Sequence, residues 1–168
     1  MTIGKPLAVS QRTMTREEIL AAIPHRDPFL LVDEIIERSK SRIVGVKTFT
    51  GDEWFFVGHY PGFPLVPGVL LCEAAMQCGA VLLSPLPLGE GPGVRAAAGK
   101  VPVVTRMNDV RFKRMVCPGE KIVMEVELTE RLADAFFLKA KVTVDGKVAV
   151  RFEFACAAAQ TSVDRPAG

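Results

Sequence analysis

Two side chains able to exchange protons with a substrate stand in one stretch, Gly58–Leu83, which reads GHYPGFPLVPGVLLCEAAMQCGAVLL. His59 lies in its Gly- and Pro-rich first part. Glu73 lies in the near-continuous apolar run that begins at about Gly68. An imidazole titrates near neutral pH, and a carboxylate carried into an apolar setting is pushed toward its protonated form. Together they make a base and an acid. By residue type and spacing alone, the same pair also reads as a hydrogen-bonded loop histidine and a paired core carboxylate, because buried ion pairs occur without catalysis.

The apolar run has helix length. Pro67 sits where a helix start tolerates proline, since the first-turn N–H groups have no intrahelical acceptor. From Val69 to Leu83 only Glu73 and Gln77 are strongly polar, and their four-residue spacing puts them on one face. A helix apolar on nearly all sides is expected to be buried on nearly all sides. It is shorter than the ~20 apolar residues that a membrane span requires.

The rest of the chain must hold this helix and its loop. Residues 1–14 are expected to form a loose arm, 15–158 one domain, and 159–168 a disordered tail. Thr15 and Glu18 make a capping-box pattern for a short helix that Pro24 ends. Strands are expected over Phe29–Arg38 and Ser41–Thr50, followed by Asp52–Val57 leading into the His59 loop. Ser84–Gly99 is rich in Gly, Pro and Ala and reads as a loop or flap. Strands are then expected over Lys100–Met107, Val110–Met115, Lys121–Leu132, Ala135–Val144 and Lys147–Ala158. Asp145-Gly146 is a two-residue hairpin signal between the last two. His25 is read as structural, because no carboxylate or nucleophile motif adjoins it. One long helix followed mostly by antiparallel strands gives an α+β layered fold.

The length of 168 residues suits one domain with a real core. A net charge of +2 without a broad basic run does not suggest a nucleic-acid binder. Cys72, Cys78, Cys117 and Cys156 show no metal-like spacing. They read as free buried thiols in a reducing cytoplasm. No apolar signal-peptide core stands at the N-terminus. Ser84 has no nucleophile-elbow context, and GEGPG at Gly89–Gly93 is not followed by the Lys-Ser or Lys-Thr of a phosphate loop.

Three segments in order, IPHRDPFLLVDEIIE (Ile23–Glu37), GHYPGFPLVPGVLLCE (Gly58–Glu73) and DVRFKRMVCPGEKI (Asp109–Ile122), resemble the FabZ-type beta-hydroxyacyl-acyl carrier protein dehydratases. The likeness runs over roughly residues 15–157. It implies the hotdog fold, a curved antiparallel sheet wrapped around a central helix, with a homodimer as the minimum unit and a hexamer, a trimer of dimers, as a common assembly. It implies dehydration of (3R)-hydroxyacyl-acyl carrier protein to the trans-2-enoyl ester in fatty acid biosynthesis. His59 is then the base and Glu73 the acid, meeting across the dimer from different chains. The Gly68 N–H, at the start of the helix, polarises the thioester carbonyl. Acyl carrier protein is the partner that brings the substrate on its phosphopantetheine arm, and no metal or organic cofactor is called for. Glu73 stands where the related dehydratase-isomerases carry Asp. Tyr60 replaces the usual Phe, while Arg106 and Met115 stand where Gly and Pro are common. As the only tyrosine, Tyr60 leaves no residue for the gating tyrosine of some relatives.

Two rival readings stay open at this level: an acyl-thioesterase of the same fold, and a carrier-binding subunit without activity. For carrier docking the densest basic group is Arg111, Lys113 and Arg114. On a strand, Arg111 and Lys113 share one face, which suits an acidic carrier and equally suits a solvated strand face.

Overall fold

The computed structural model describes residues 12–84 and 100–160. The element order is α1 (Arg16–Ala22), β1 (Glu34–Arg38), β2 (Arg42–Thr48), a short 3-10 turn (Trp54–Val57), α2 (Gly68–Leu83), β3 (Lys100–Phe112), β4 (Lys121–Leu132), β5 (Ala135–Val144) and β6 (Lys147–Gln160). The strands form one sheet in the order β1-β2-β4-β5-β6-β3, antiparallel at every pairing. Helix α2 packs against β2, β4 and β5, with further contacts to β3 and β6. A sheet with one long helix packed against five of its six strands is the hotdog arrangement that the motifs implied.

Local chemistry explains most of the element boundaries. The Thr15 hydroxyl accepts from the Glu18 N–H, and the Glu18 carboxylate accepts from the Thr15 N–H at 2.8 Å, completing the capping box. Asp145 and Gly146 both have positive φ, 48° and 74°, as a type I′ hairpin turn requires. Alternation fixes the faces of β4 and β5. Ile122, Met124 and Val126 point in, as do Phe136, Leu138, Ala140 and Val142. The sheet runs so close to the helix that a Cβ on Gly45 would lie 2.9 Å from Cys78 Sγ. At the far end of α2, the buried Arg38 guanidinium donates to the carbonyls of Leu82 and Ser84 at 3.1 and 3.0 Å, satisfying acceptors that a helix C-terminus leaves open.

Several expectations need correction. The strand anticipated from Phe29 begins only at Glu34. Leu30, Leu31 and Val32 are buried in succession, which an alternating strand with one solvated face would not allow. The two strands expected over 100–115 are one, β3, bent by irregularities at Val104/Arg106 and Asn108/Arg111. Asp109 sits at φ 49° there, so the turn-like Asn-Asp pair makes a bulge and not a break. Strand β6 runs on to Gln160, two residues into the expected tail. Met14 is 1% exposed and bridges Ile35, so the arm's last residue belongs to the core. Cys72, Cys78 and Cys156 are buried free thiols, but Cys117 is only half-buried. The expected flap over 84–99 lies outside the described residues beyond Ser84, which closes α2 by donating its hydroxyl to the Val81 carbonyl at 2.8 Å.

Candidate active site

The loop of His59 is held from below and turned sharply above. The His59 N–H donates to the Phe55 carbonyl at 3.0 Å, an extension of the preceding 3-10 turn. Tyr60 follows with φ 51° and Gly62 with φ 91°. A non-glycine residue in the left-handed region carries strain that the surroundings must offset. Here the Phe63 N–H closes the turn on the Tyr60 carbonyl at 2.9 Å. The Tyr60 ring stands edge-on to His59 with centroids 4.7 Å apart. It is well exposed, so the hydroxyl that distinguishes it from Phe meets water at no packing cost. The half-buried imidazole is therefore fixed by backbone and ring and reaches the surface.

Helix α2 is not buried on all sides, contrary to expectation. Val69 is 69% exposed, and Glu73, Met76 and Ala80 are half-buried. These four residues follow helical spacing and form one stripe that the described residues leave partly uncovered. The stripe is apolar except for Glu73. Most of the rest of the helix, including Cys72, Ala74, Ala75 and Cys78, is sealed in the core. Burial pushes the Cys72 thiol up to about 11, so it remains a neutral, inert neighbour of Glu73.

Glu73 is held by its helix neighbour Gln77. The Gln77 Nε2 donates to Glu73 Oε1 at 3.0 Å and to the Phe29 carbonyl at 2.8 Å, while its Oε1 accepts from the Leu31 N–H at 2.8 Å. All three bonds agree on one orientation of the amide. His25 Nε2 lies 3.6 Å from the same Glu73 oxygen. The reading of His25 as a residue with no carboxylate beside it is thus corrected: the carboxylate comes from a helix distant in sequence. Among the described residues, the imidazole within 4 Å of Glu73 in the same chain is that of His25, not that of His59. Residue type gave a signal for His25, in the first of the three motifs, and for Gln77, on the face it shares with Glu73. Neither signal told which group each would meet.

Gly68 opens α2, where N–H groups have no intrahelical acceptor. A Cβ there would lie 2.7 Å from Phe112 Cε1, so only glycine lets the β3 ring cover the helix start. Of the basic group, Arg114 is committed to Glu120 at 2.6 Å and leaves the patch. Arg111 pairs with Asp109 at 2.9 Å and stays exposed. Lys113 is also exposed, but lies past the end of β3, so strand alternation does not place it. Arg151 stands directly across from Arg111 on β6, adding a cation to that face. Arg106 lies over the Phe137 ring, 5.9 Å from its centroid, and Met115 is exposed. Among the described residues no group of three or more His, Cys, Asp or Glu side chains is arranged to hold a metal ion.

Comparison with known proteins bears on what these residues do. The family model described as a FabA-like domain matches residues 23–153. The chain is 45% identical to the 3-hydroxyacyl-(acyl-carrier-protein) dehydratase FabZ of Herpetosiphon aurantiacus, over 80% of this chain and 91% of that protein. It is 41% identical to the protein of the same name from Clostridium perfringens, over 81% and 92%. Among solved structures, the dehydratase heterocomplex ApeI:P from Xenorhabdus doucetiae matches with a TM-score of 0.69 at 16% identity, over 86% of this chain and 93% of that one. A hypothetical thioesterase with coenzyme A from Streptococcus pneumoniae matches at 0.54 and 10% identity, over 86% and 93%. The last two share the fold with dissimilar sequences, so fold alone does not separate dehydratase from thioesterase. The sequence relatives do.

Proposed function

Because the chain belongs to the FabA-like family, among the FabZ-type dehydratases, and so is a hydro-lyase that dehydrates 3-hydroxyacyl-acyl carrier protein in fatty acid biosynthesis, we propose that His59 and Glu73 are the base and acid of its reaction. The observation that carries this is the placement of Glu73 as the one polar group on the uncovered apolar stripe of α2, with its carboxyl held by Gln77. The acyl chain lies along that stripe, against Val69 and Met76. The imidazole of His59 takes the α-proton. Negative charge gathers on the thioester oxygen, which accepts from the Gly68 N–H at the positive end of the helix. Glu73 gives its proton to the departing hydroxyl, directly or through a water, and the C–O bond breaks to leave the trans-2-enoyl ester and water. Base, acid and donor all come from the polypeptide, so the reaction is written without a cofactor.

The site is completed by a second copy of the chain. Glu73 and His59 are not paired within one chain. Strand β3 closes the sheet order with one neighbour, β6, and exposes Val103, Val104, Met107, Val110 and Phe112. An exposed apolar edge of that length calls for a partner. Pairing two such edges makes a homodimer, and three dimers make the hexamer that we expect as its larger assembly. Acyl carrier protein docks on Arg111 and Lys113. The free thiols fit the reducing cytoplasm, where we place the enzyme.

The test is hydration of a short enoyl thioester, followed by loss of conjugated absorbance, in His59→Ala and Glu73→Gln. Each folded variant should lose roughly 10²–10⁴-fold in turnover. Near-parental turnover in either removes that residue from its role. Release of free thiol from acyl-coenzyme A in place of hydration would restore the thioesterase reading.

A further inference from the structure

We propose that His25 is a positioning residue for the acid, holding the Glu73 carboxyl from within the same chain so that its proton stands on Oε2. This rests on the reading of Glu73 as the acid. Gln77 has both amide hydrogens committed, one to the Phe29 carbonyl and one to Glu73 Oε1. That Glu73 oxygen is therefore an acceptor. His25 Nε2, 3.6 Å away, faces the same oxygen. Hydrogen bonds at catalytic sites are often long before substrate binds and tighten in the complex.

The tautomer follows from the other ring nitrogen. His25 Nδ1 is buried without a hydrogen-bond partner. A buried N–H left unpaired is costlier than a bare lone pair there, so the proton of the neutral ring belongs on Nε2. An imidazolium would bury an unpaired Nδ1–H and is disfavoured. In the same direction, burial, with Arg26 adding to it and Glu73 opposing it, keeps the His25 pKa below its ordinary value. The ring is held flat against Phe29, with centroids 6.3 Å apart at 23°. When that contact tightens in the substrate complex, two donors, His25 Nε2–H and Gln77 Nε2–H, occupy Oε1, and the acid proton is left to Oε2.

The experiment compares His25→Phe, which keeps a flat ring against Phe29 but has no donor, with His25→Gln, whose side-chain N–H can stand in for Nε2–H. In the hydration assay His25→Phe should lose about tenfold or more in kcat, the scale of a hydrogen bond to a carboxylate, with KM little changed. His25→Gln should recover most of the loss. In a Glu73→Gln background, His25→Phe should cost less than about twofold further, because its target is gone. If His25→Phe does not fold, His25→Leu takes its place in the same comparisons. Parental kcat in the donor-less variant, or an equal loss in His25→Gln, or an undiminished loss in the Glu73→Gln background, overturns the assignment. Near-parental turnover of Glu73→Gln alone would instead overturn the role of Glu73.

Discussion

Replacing Gln77 with Met removes the clamp on the helix face that carries Glu73. Gln77 is 1% exposed, and its amide joins the Leu31 N–H, the Phe29 carbonyl and Glu73 Oε1. Met keeps an unbranched side chain of similar reach and a similar helix propensity, so the substitution deletes hydrogen bonds and little volume. The Leu31 N–H is buried and loses its acceptor, costing about 1–3 kcal/mol. Phe29 is 42% exposed, so water can replace the lost donor, and its carbonyl adds no more than about 1 kcal/mol. A loss of ~1–4 kcal/mol is large against the ~5–15 kcal/mol that holds a typical domain together. The bond to Glu73 reaches about 1.5–3 kcal/mol as the proposed acid gives up its proton and becomes a charged acceptor, and its loss is worth roughly ten- to a hundredfold in kcat. Urea unfolding at fixed protomer concentration and steady-state kinetics read the two effects separately. The urea midpoint should fall with the slope unchanged, and kcat should fall with KM nearly constant. A parental midpoint would show that the amide is not a structural clamp. A parental kcat in the destabilised protein would show that Glu73 needs no hold from Gln77.

Gly68→Ala should lower kcat because the added Cβ would lie 2.7 Å from the Phe112 ring and push it aside, and a second change, Phe112→Ala, should restore part of it; failure of the double variant to recover would place the defect in the backbone. Arg111→Glu with Lys113→Glu should raise KM for acyl carrier protein substrates and leave turnover of a small pantetheine thioester much less affected, because docking is steered by several exposed charges together. Equal losses on both substrates would end the docking assignment. Acid stability should depend on His25. Its pKa is held below 6.5 in the folded chain by burial first, against the pull of Glu73 and with Arg26 adding to the fall. The unfolded chain therefore takes up more protons once pH drops below about 6.5. The stability that neutral His25 contributes is whole above that pH and drains as pH falls toward the folded value. Thermal melts at roughly pH 7 and pH 5 should then show a smaller drop in Tm for His25→Phe than for the parent; an equal drop would contradict the sign.

The residues proposed to do the chemistry were more legible than the contacts that hold them. Glu73 stands out because it is a carboxylate in an apolar helix, and the Asp145-Gly146 hairpin and Thr15 cap stand out because their chemistry is local. The strand start near Phe29 was misread because Leu30, Leu31 and Val32 bury themselves at the edge of the core without joining a sheet. The bulge in β3 was misread as a gap because Asn108-Asp109 carries turn-forming side chains, and only pairing with β6 keeps the strand going. The uncovered stripe on α2 was hidden because a face that waits for a partner is as apolar as one already buried. The approach of His25 to Glu73 depends on how the first turn of chain folds over α2, which no local pattern encodes.

Mixed dimers test the central claim most directly. His59→Ala and Glu73→Gln chains, each inactive alone, are co-expressed with different tags, and the heterodimer is purified through both. If one site takes its histidine from one chain and its glutamate from the other, each two-fold dimer rebuilds one native site of its two. Hydration of a short enoyl thioester should return to about half the parental rate per dimer. A confirmed heterodimer with no more activity than either variant would contradict a site shared between chains.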